Sequence, residues 1–510
     1  MNSSASPNVC NHGRRGGQRV AAHGLRLALL LGLAGCAVGP DYKPPQVTPP
    51  PAWVSTPDKT DTSLVVASPV TTVEWWTLLN DEQLNTLIKQ GAAQNLTVLQ
   101  ANQRIVAARA SLGITDSALF PSVNASGGYS YGAAGGGVPN SNYNLGGSAG
   151  WNVDVFGGVR RQIEAAEASV DASIQDRRDA IVALAAQIGI TYVDLRAVQK
   201  RLDITHINLD IQDHSVNVTQ QRWQGGFVSR LDYENALAQQ ASTRAQLPSL
   251  ETQERQDIYA LSVLLGLDPG ALLTELQTVA PIPKVPAQIP VGVPSDLLRR
   301  RPDIRAAEAQ FHAATADIGV AISDLFPKFS LTSNLQFNSG TLAQLVTWTN
   351  SSWNVGPSVS WQIFAAGRIV ANIHLQEANQ VQAFYFYKNT VLTAFQQVED
   401  SITAYANEQE RHQYLQDAVA ANQRALDLAN TSYREGSTIF LNVLQAQAAL
   451  YSAQQQEAVS DQALASDLIT LYQALGGGWS AFPEQDSVPV QFPRFPYATP
   501  PKDHSSPHAQ

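Results

Sequence analysis

The chain has 510 residues, 44% of them hydrophobic, and a formal charge of −10. That apolar content suffices for a large buried core, the length alone predicts about three domains, and the acidic balance argues against nucleic acid as a partner. No run of about 18 uninterrupted apolar residues occurs, so any crossing of a membrane requires a closed β-barrel.

Residues 1–35 read as a secretory signal. Arg14, Arg15, Arg19 and Arg26 accompany an apolar stretch from Leu25 to Leu33 that is too short to span a bilayer, and small residues follow it. Cys36 closes the run Leu33-Ala34-Gly35-Cys36, where an ordinary signal carries Ala. The site resembles a bacterial lipobox, whose cysteine becomes the lipidated first residue of the mature chain. Removing four Arg and no Asp, Glu or Lys leaves a charge of −14. Cys10 is lost with the leader, so Cys36 has no disulfide partner within the chain. Arg14-Arg15 is also compatible with twin-arginine export, although Gly16-Gly17 follows where an apolar residue is expected.

Residues 36–80 are assigned to a lipid anchor and an extended segment, because 37–70 carry little periodicity; the resemblance described below implies that this segment is periplasmic. Helices are expected over 81–117 and 295–323. Ser295 is a natural N-cap, and Pro302 breaks the second helix near its start. By repeat offset, the same break is expected at Leu96 after Asn95.

Two segments change period. In 122–156, Val123, Ala125, Tyr129, Tyr131 and then Leu145, Ala149, Trp151, Val153, Val155 alternate with polar residues. In 328–364 the pattern is stronger, with Phe329, Leu331, Leu335 and Phe337 followed by Trp353, Val355, Pro357, Val359, Trp361 and Ile363. Period two predicts strands with one apolar and one polar face. Aromatic residues near the ends match the lipid-facing side of an outer-membrane barrel, and a soluble sandwich produces the same alternation. Gly135-Gly136-Gly137 reads as an external loop.

Very long helices follow each strand pair, over 157–224 and 365–434. Between Val159 and Arg222 there is one glycine, Gly189, and no proline; between Arg368 and Glu435 there is neither. Each runs on the order of 100 Å. Ile181, Leu184, Ile188, Thr191, Leu195, Val198 and Leu202 keep a 3,4 spacing, as do Val391, Phe395, Val398, Ile402 and Tyr405. Such seams pack long helices against neighbours, and an extended soluble coiled coil fits them too. Helices over 229–265, kinked at Pro248, and over 438–475, unkinked at Ala458, complete the set.

The order of elements recurs with a period near 208 residues. Leu119-Phe120-Pro121 returns as Leu325-Phe326-Pro327, Gly226 as Gly436, and Leu265-Gly266 as Leu475-Gly476. The chain is therefore read as a first repeat (81–270), a linker or equatorial segment (271–294), a second repeat (295–478) and a Pro-rich tail (479–510). Four strands cannot enclose a lumen, since about eight make the smallest filled barrel. In lipid no edge is left open. The strands must be pooled among copies, and three copies supply twelve.

The run Cys36-Ala37-Val38-Gly39-Pro40-Asp41-Tyr42-Lys43-Pro44-Pro45, the motif Leu297-Leu298-Arg299-Arg300-Arg301-Pro302-Asp303-Ile304, the paired Leu-Phe-Pro sites and the duplication resemble the outer membrane efflux lipoprotein family, the NodT-type outer membrane factors of tripartite pumps. The resemblance implies an α+β membrane protein: a homotrimer with a 12-stranded outer-membrane β-barrel, four strands per chain, continued by a long periplasmic α-helical barrel with a mixed equatorial domain. It implies a passive exit duct for drugs or other small toxic compounds. The implied partners are a periplasmic adaptor (membrane fusion protein), an inner-membrane transporter of the resistance-nodulation-division (RND) type and outer-membrane lipid. No cofactor is implied beyond the lipid on Cys36, and Ala37 fits sorting to the outer membrane.

The resemblance also places a closing iris at the helix tips, 226–236 and 436–446. Relatives commonly carry aspartates in the second repeat where this chain has Asn442 and Gln445, with Leu444 beside them. In the first repeat Asp232 and Glu234 remain, near Arg230. These carboxylates either form a ring under three-fold symmetry or only cap and solvate a turn. Arg299-Arg300-Arg301 read blind is a solvated face or an anion site; within the family it is structural.

No motif for catalysis stands in the context its chemistry needs. There is no Gly-x-x-x-x-Gly-Lys loop; the Gly-x-Ser-x-Gly match at 146–150 lies inside the strand-period segment 122–156, and the His-x-x-x-His match of His504 and His508 lies in the Pro-rich tail. His206 and His214 are read as solvated or packed. The remaining alternatives to the efflux duct are the exit duct of a type I protein-secretion system and a structural coiled-coil lipoprotein.

Overall fold

A computed structural model describes residues 37–54, 64–65, 73–133, 137–286 and 289–482. The expected signal peptide, Cys36, Gly135 and Gly136 of the expected loop, and residues 483–510 lie outside them. In chain order the main elements are α1 (Glu82–Gln94), α2 (Leu96–Ser117), β1 (Ser122–Gly132), β2 (Asn140–Val153), α3 (Gly158–Gln224), α4 (Arg230–Arg244), α5 (Leu247–Leu264), α6 (Pro294–Arg300), α7 (Pro302–Ser323), β3 (Lys328–Ser339), β4 (Ser351–Ser360), α8 (Arg368–Arg434) and α9 (Phe440–Ala474). The chain divides into two compact units, one of Met1–Pro44, Ala110–Ser169 and Gln310–Ala383, the other of Pro45–Arg109, Val170–Ala309 and Phe384–Gln510.

The first unit is built on a four-stranded antiparallel sheet in the order β1-β2-β3-β4. Its corners repeat. The indole of Trp151 donates to the carbonyl oxygen of Leu119 at 2.8 Å, and that of Trp361 to Leu325 at 3.0 Å, so each Leu-Phe-Pro corner is pinned by a tryptophan from the returning segment. Phe156 stacks on Phe326 at 4.6 Å. Residues 37–42 dock here as well. Val38 N–H donates to the Phe156 carbonyl at 3.0 Å, Arg161 donates to Asp41 at 2.7 Å, and Tyr42 stacks on His312 at 4.0 Å. Gly39, at φ +98°, lies so close to Gly319 that a Cβ would meet its Cα at 2.4 Å.

The core of the second unit is threaded by α3 and α8, each 67 residues long. Their expected seams are buried from Ile181 to Val198 and from Val391 to Tyr405, apart from the half-buried Phe395. Against them pack Leu84 and Ile88 of α1, Ile258 and Leu261 of α5, and Leu468 and Tyr472 of α9. Composition gave no hint of the 3-10 turn Trp75–Leu79. It places Trp75 and Trp76 at the centre of this core, with Trp75 stacked on Tyr472 at 5.8 Å.

Helix ends follow local chemistry. Asp81 caps α1, its side chain accepting from the N–H of Leu84 at 2.9 Å. Asn95 separates α1 from α2: its Oδ1 accepts from the N–H groups of Thr97 and Val98, and its Nδ2 donates to the Leu264 carbonyl at 2.8 Å. Ser295 is not the cap of α6. Val293 is, and Pro294 opens the helix because its fixed φ and missing N–H suit that position. The helix expected over 229–265 is two helices. The chain breaks at Ala245–Gln246, so Pro248 stands in the first turn of α5, where no helical N–H is required of it. The corresponding α9 runs unbroken from Phe440, with Ala458 buried in it.

Of the three arginines 299–301, Arg299 is exposed, Arg300 is half-buried and Arg301 is buried, against the blind reading of a solvated face and in keeping with the structural role that the resemblance implies. Its guanidinium holds Asp303 at 3.0 and 2.6 Å, the Ala474 carbonyl at 2.8 Å and Gln397 at 2.8 Å, so it ties α7 to the end of α9 and to α8. Residues 479–482, assigned to the tail by composition, pack on the core instead. The Trp479 indole donates to the Arg300 carbonyl at 3.2 Å, Arg178 lies 4.5 Å over its ring, and Phe482 stacks on Trp76 at 5.9 Å.

Candidate functional site: a two-faced sheet and a set of helix tips

Register makes the sheet strictly two-faced. Val123↔Ala149↔Ser333↔Val355 and Gly127↔Leu145↔Phe337 are aligned rows on one face, and Trp151↔Leu331↔Pro357 and Val153↔Phe329↔Val359 extend it. The opposite face carries Ser122, Asn124, Ser126, Asn144, Ser148, Asn152, Ser330, Thr332, Asn334, Gln336, Asn354 and Ser358, with Lys328 at one end. Antiparallel pairing with period two forces this separation: a slip of one residue in any strand would put its apolar set among the serines and asparagines. Among the described residues nothing covers the apolar face. Val123 is 78% exposed, Trp353 67% and Val359 61%, which for side chains of this size requires lipid or another chain. Tyr129, Tyr143, Phe337 and Trp353 lie towards the end carrying the strand connections, and Trp151, Phe329 and Trp361 towards the other. Two aromatic belts with Val, Ala, Leu and Gly between them are the pattern of a membrane band.

Among the described residues one helix, Gly158–Gln224, is long and apolar enough by composition to cross a membrane, but 78% of its apolar window is buried in the protein, which marks it as a core helix.

At the tips, α3 turns into α4 and α8 into α9 through the same device. Gly226 (φ +76°) and Gly436 (φ +75°) adopt the left-handed conformation, and the next N–H reaches back, Phe227 to the Arg222 carbonyl at 2.8 Å and Ser437 to that of Ser432 at 2.9 Å. This satisfies a carbonyl that the helix end leaves unpaired. The tip packs on Val216, Ala236, Leu426, Phe440, Val443 and Leu450, with Trp223 stacked on Tyr233 at 5.6 Å and Arg222 4.8 Å over the Tyr433 ring.

The five tip residues singled out by sequence divide. Asp232 belongs to a capping box: its Oδ2 accepts from Ser229 N–H at 3.3 Å and from Ser229 Oγ at 3.1 Å. Glu234 is paired with Arg230 at 3.1 Å on an exposed surface. Asn442 is exposed and donates to Thr438 Oγ1 at 2.6 Å, and Gln445 is exposed. Leu444 differs from the expectation. It is 7% exposed and part of the tip core, because α9 turns the 440, 443, 444 and 447 positions inward. Arg222 and Tyr433 were not singled out, since a lone arginine near a helix end carries no signal beyond favourable interaction with the helix dipole.

Among the described residues no group of three or more His, Cys, Asp or Glu is placed to hold a metal ion.

A family model described as outer membrane efflux protein matches residues 87–267 and again 293–477. Nodulation protein T of Rhizobium leguminosarum bv. trifolii is 32% identical over 453 residues, covering 88% of this chain and 96% of that protein. The probable efflux pump outer membrane protein TtgC of Pseudomonas putida is 32% identical over 459 residues, covering 88% and 93%. Among solved structures, the outer-membrane channel OprN superimposes with a TM-score of 0.80 at 34% identity, covering 87% of this chain and 100% of that one.

Proposed function

Because the chain belongs to the outer membrane efflux protein family, we propose that it is the outer-membrane channel component of a tripartite efflux pump, a passive exit duct for drugs or other small toxic compounds. The observation that carries this reading is the register-locked sheet, apolar with aromatic belts on one face and almost uncharged polar on the other. Such a sheet fits lipid outside and water inside. With four strands of each chain in this sheet and no tolerance for open edges in hydrocarbon, closure requires sister chains, and the functional unit is a homotrimer with a 12-stranded barrel. The helices supply the periplasmic α-helical barrel, and the membrane anchor is a lipid on Cys36.

The duct uses no catalysis. Energy comes from an inner-membrane transporter of the RND type joined through a periplasmic adaptor, as fits relatives whose names place them in efflux pumps. The gate is assigned to the exposed tip residues Asn442 and Gln445, with Glu234 available to an acidic ring and Asp232 engaged as a cap. Leu444 acts by holding the tip core.

The test is direct. The purified full-length protein, in detergent, should run as a trimer by native mass measurement and form channels in planar bilayers, and Asn442→Ala should raise single-channel conductance. A monomer without channel activity would reject the duct, whereas a conducting trimer insensitive to Asn442→Ala would reject only this gate position.

A further inference from the structure

The second unit holds a cavity of about 720 Å3 between α3, α8 and α9, beside the tip turns. Its lining includes two cations, Arg222 and Arg434, and one carboxylate, Asp210, with His214 beside them. Among the described residues neither arginine forms an ion pair: Arg222 faces the Tyr433 ring, and Arg434 donates only to its own helix, to the Asn430 carbonyl at 3.3 Å and Thr431 Oγ1 at 3.4 Å. Two further polar atoms in the lining are buried without a partner, the Tyr433 hydroxyl and Gln447 Oε1. Gln447 is 4% exposed, and its Nε2 is committed to Ser215 Oγ at 3.1 Å, which leaves the amide oxygen as a fixed acceptor. A buried acceptor with no donor costs stability that a ligand recovers. Phe440 and Val443 supply an apolar wall.

We propose that this cleft is a binding site for an aromatic carboxylate that carries a hydrogen-bond donor at the far end of its ring. The carboxylate meets the arginines, whose forked donors suit it. The ring lies against Tyr433 and Phe440, and the donor reaches Gln447 Oε1. All of these residues belong to one chain, so the site does not depend on the duct being correct, and its occupant would be held at the turns joining α3 to α4 and α8 to α9.

The probe is 4-hydroxybenzoate, titrated calorimetrically into the full-length protein in detergent, beside benzoate, which lacks the donor, and 4-hydroxybenzyl alcohol, which lacks the charge. The expected result is saturable binding of 4-hydroxybenzoate, with benzoate and the alcohol each weaker by about tenfold. Arg222→Gln, at a half-buried position that leaves the tip core intact, should weaken 4-hydroxybenzoate by about tenfold. Gln447→Leu should abolish the preference for it over benzoate, with an unchanged melting transition as the control for folding. Arg434→Gln provides a second charge deletion outside the core. Absence of saturable heat in the wild-type protein would show that the cleft holds only water. Equal affinity for 4-hydroxybenzoate and benzoate, or affinity unaltered by both arginine substitutions, would equally overturn the assignment.

Discussion

Trp151 and Leu119 are joined by an indole-to-carbonyl hydrogen bond of 2.8 Å, and the same bond joins Trp361 and Leu325 at 3.0 Å. Each closes the corner where a helix gives way to a strand. The bond also satisfies a backbone carbonyl at the rim of the apolar band, where an unpaired group is costly.

Replacing either tryptophan by phenylalanine keeps most of the apolar surface and removes the donor. Each of Trp151→Phe and Trp361→Phe should cost about 1 kcal/mol, and the double variant about the sum, because the corners are separate. Thermal or denaturant unfolding of the assembled protein measures this; a silent single variant would show that the corner is held by packing alone.

Glycine substitutions separate backbone strain from collision. At Gly226 a Cβ would meet nothing within 4 Å, so Gly226→Ala pays only for the left-handed conformation, about 1 kcal/mol. At Gly266, also left-handed, the Cβ would lie 2.7 Å from the Gln94 carbonyl oxygen. Gly266→Ala should therefore destabilise clearly more than Gly226→Ala in the same melting assay.

Arg301 is buried with every partner supplied by other elements or by Asp303. Arg301→Met strands the Asp303 carboxylate and the Ala474 carbonyl, a loss of about 3–5 kcal/mol. Arg301→Lys keeps charge but loses the fork and should fall between the two. The yield of folded protein and its unfolding midpoint rank the three; equal values for Met and Arg would refute a structural role.

Asp257 in α5 is buried, with Gln253 donating to Oδ1 at 2.8 Å and Oδ2 unpartnered. Burial pushes its carboxyl up to about 6 from 3.8, Asp194 adds to the rise, and the Gln253 hydrogen bond opposes it. Folding thus favours the protonated form, so this contribution to stability is full below the unfolded value and is lost as pH rises through about 6. Asp257→Asn should stabilise the protein by roughly 1–3 kcal/mol at pH 8 and hardly at all at pH 4. Melting curves at the two pH values decide it, and a gain of equal size at both would contradict the raised carboxyl.

The sequence by itself determined the long helices and the two faces of the sheet. These follow from the spacing of apolar residues along a regular backbone, and from glycines whose freedom to turn left-handed needs no distant partner. Leu-Phe-Pro recurrence marked the corners, though not the tryptophans that pin them. Only the tertiary structure decided which polar residues are buried and which apolar ones close a core. Arg301 is buried because Ala474, 173 residues away, offers its carbonyl. Trp75 and Trp76 centre a core assembled from α1, α3, α5, α8 and α9, and Leu444 turns inward because α9 meets α3 at the tip. Periodicity states that a face needs cover, but the segment that covers it is fixed by packing between parts of the chain remote in sequence, and no local pattern carries that information.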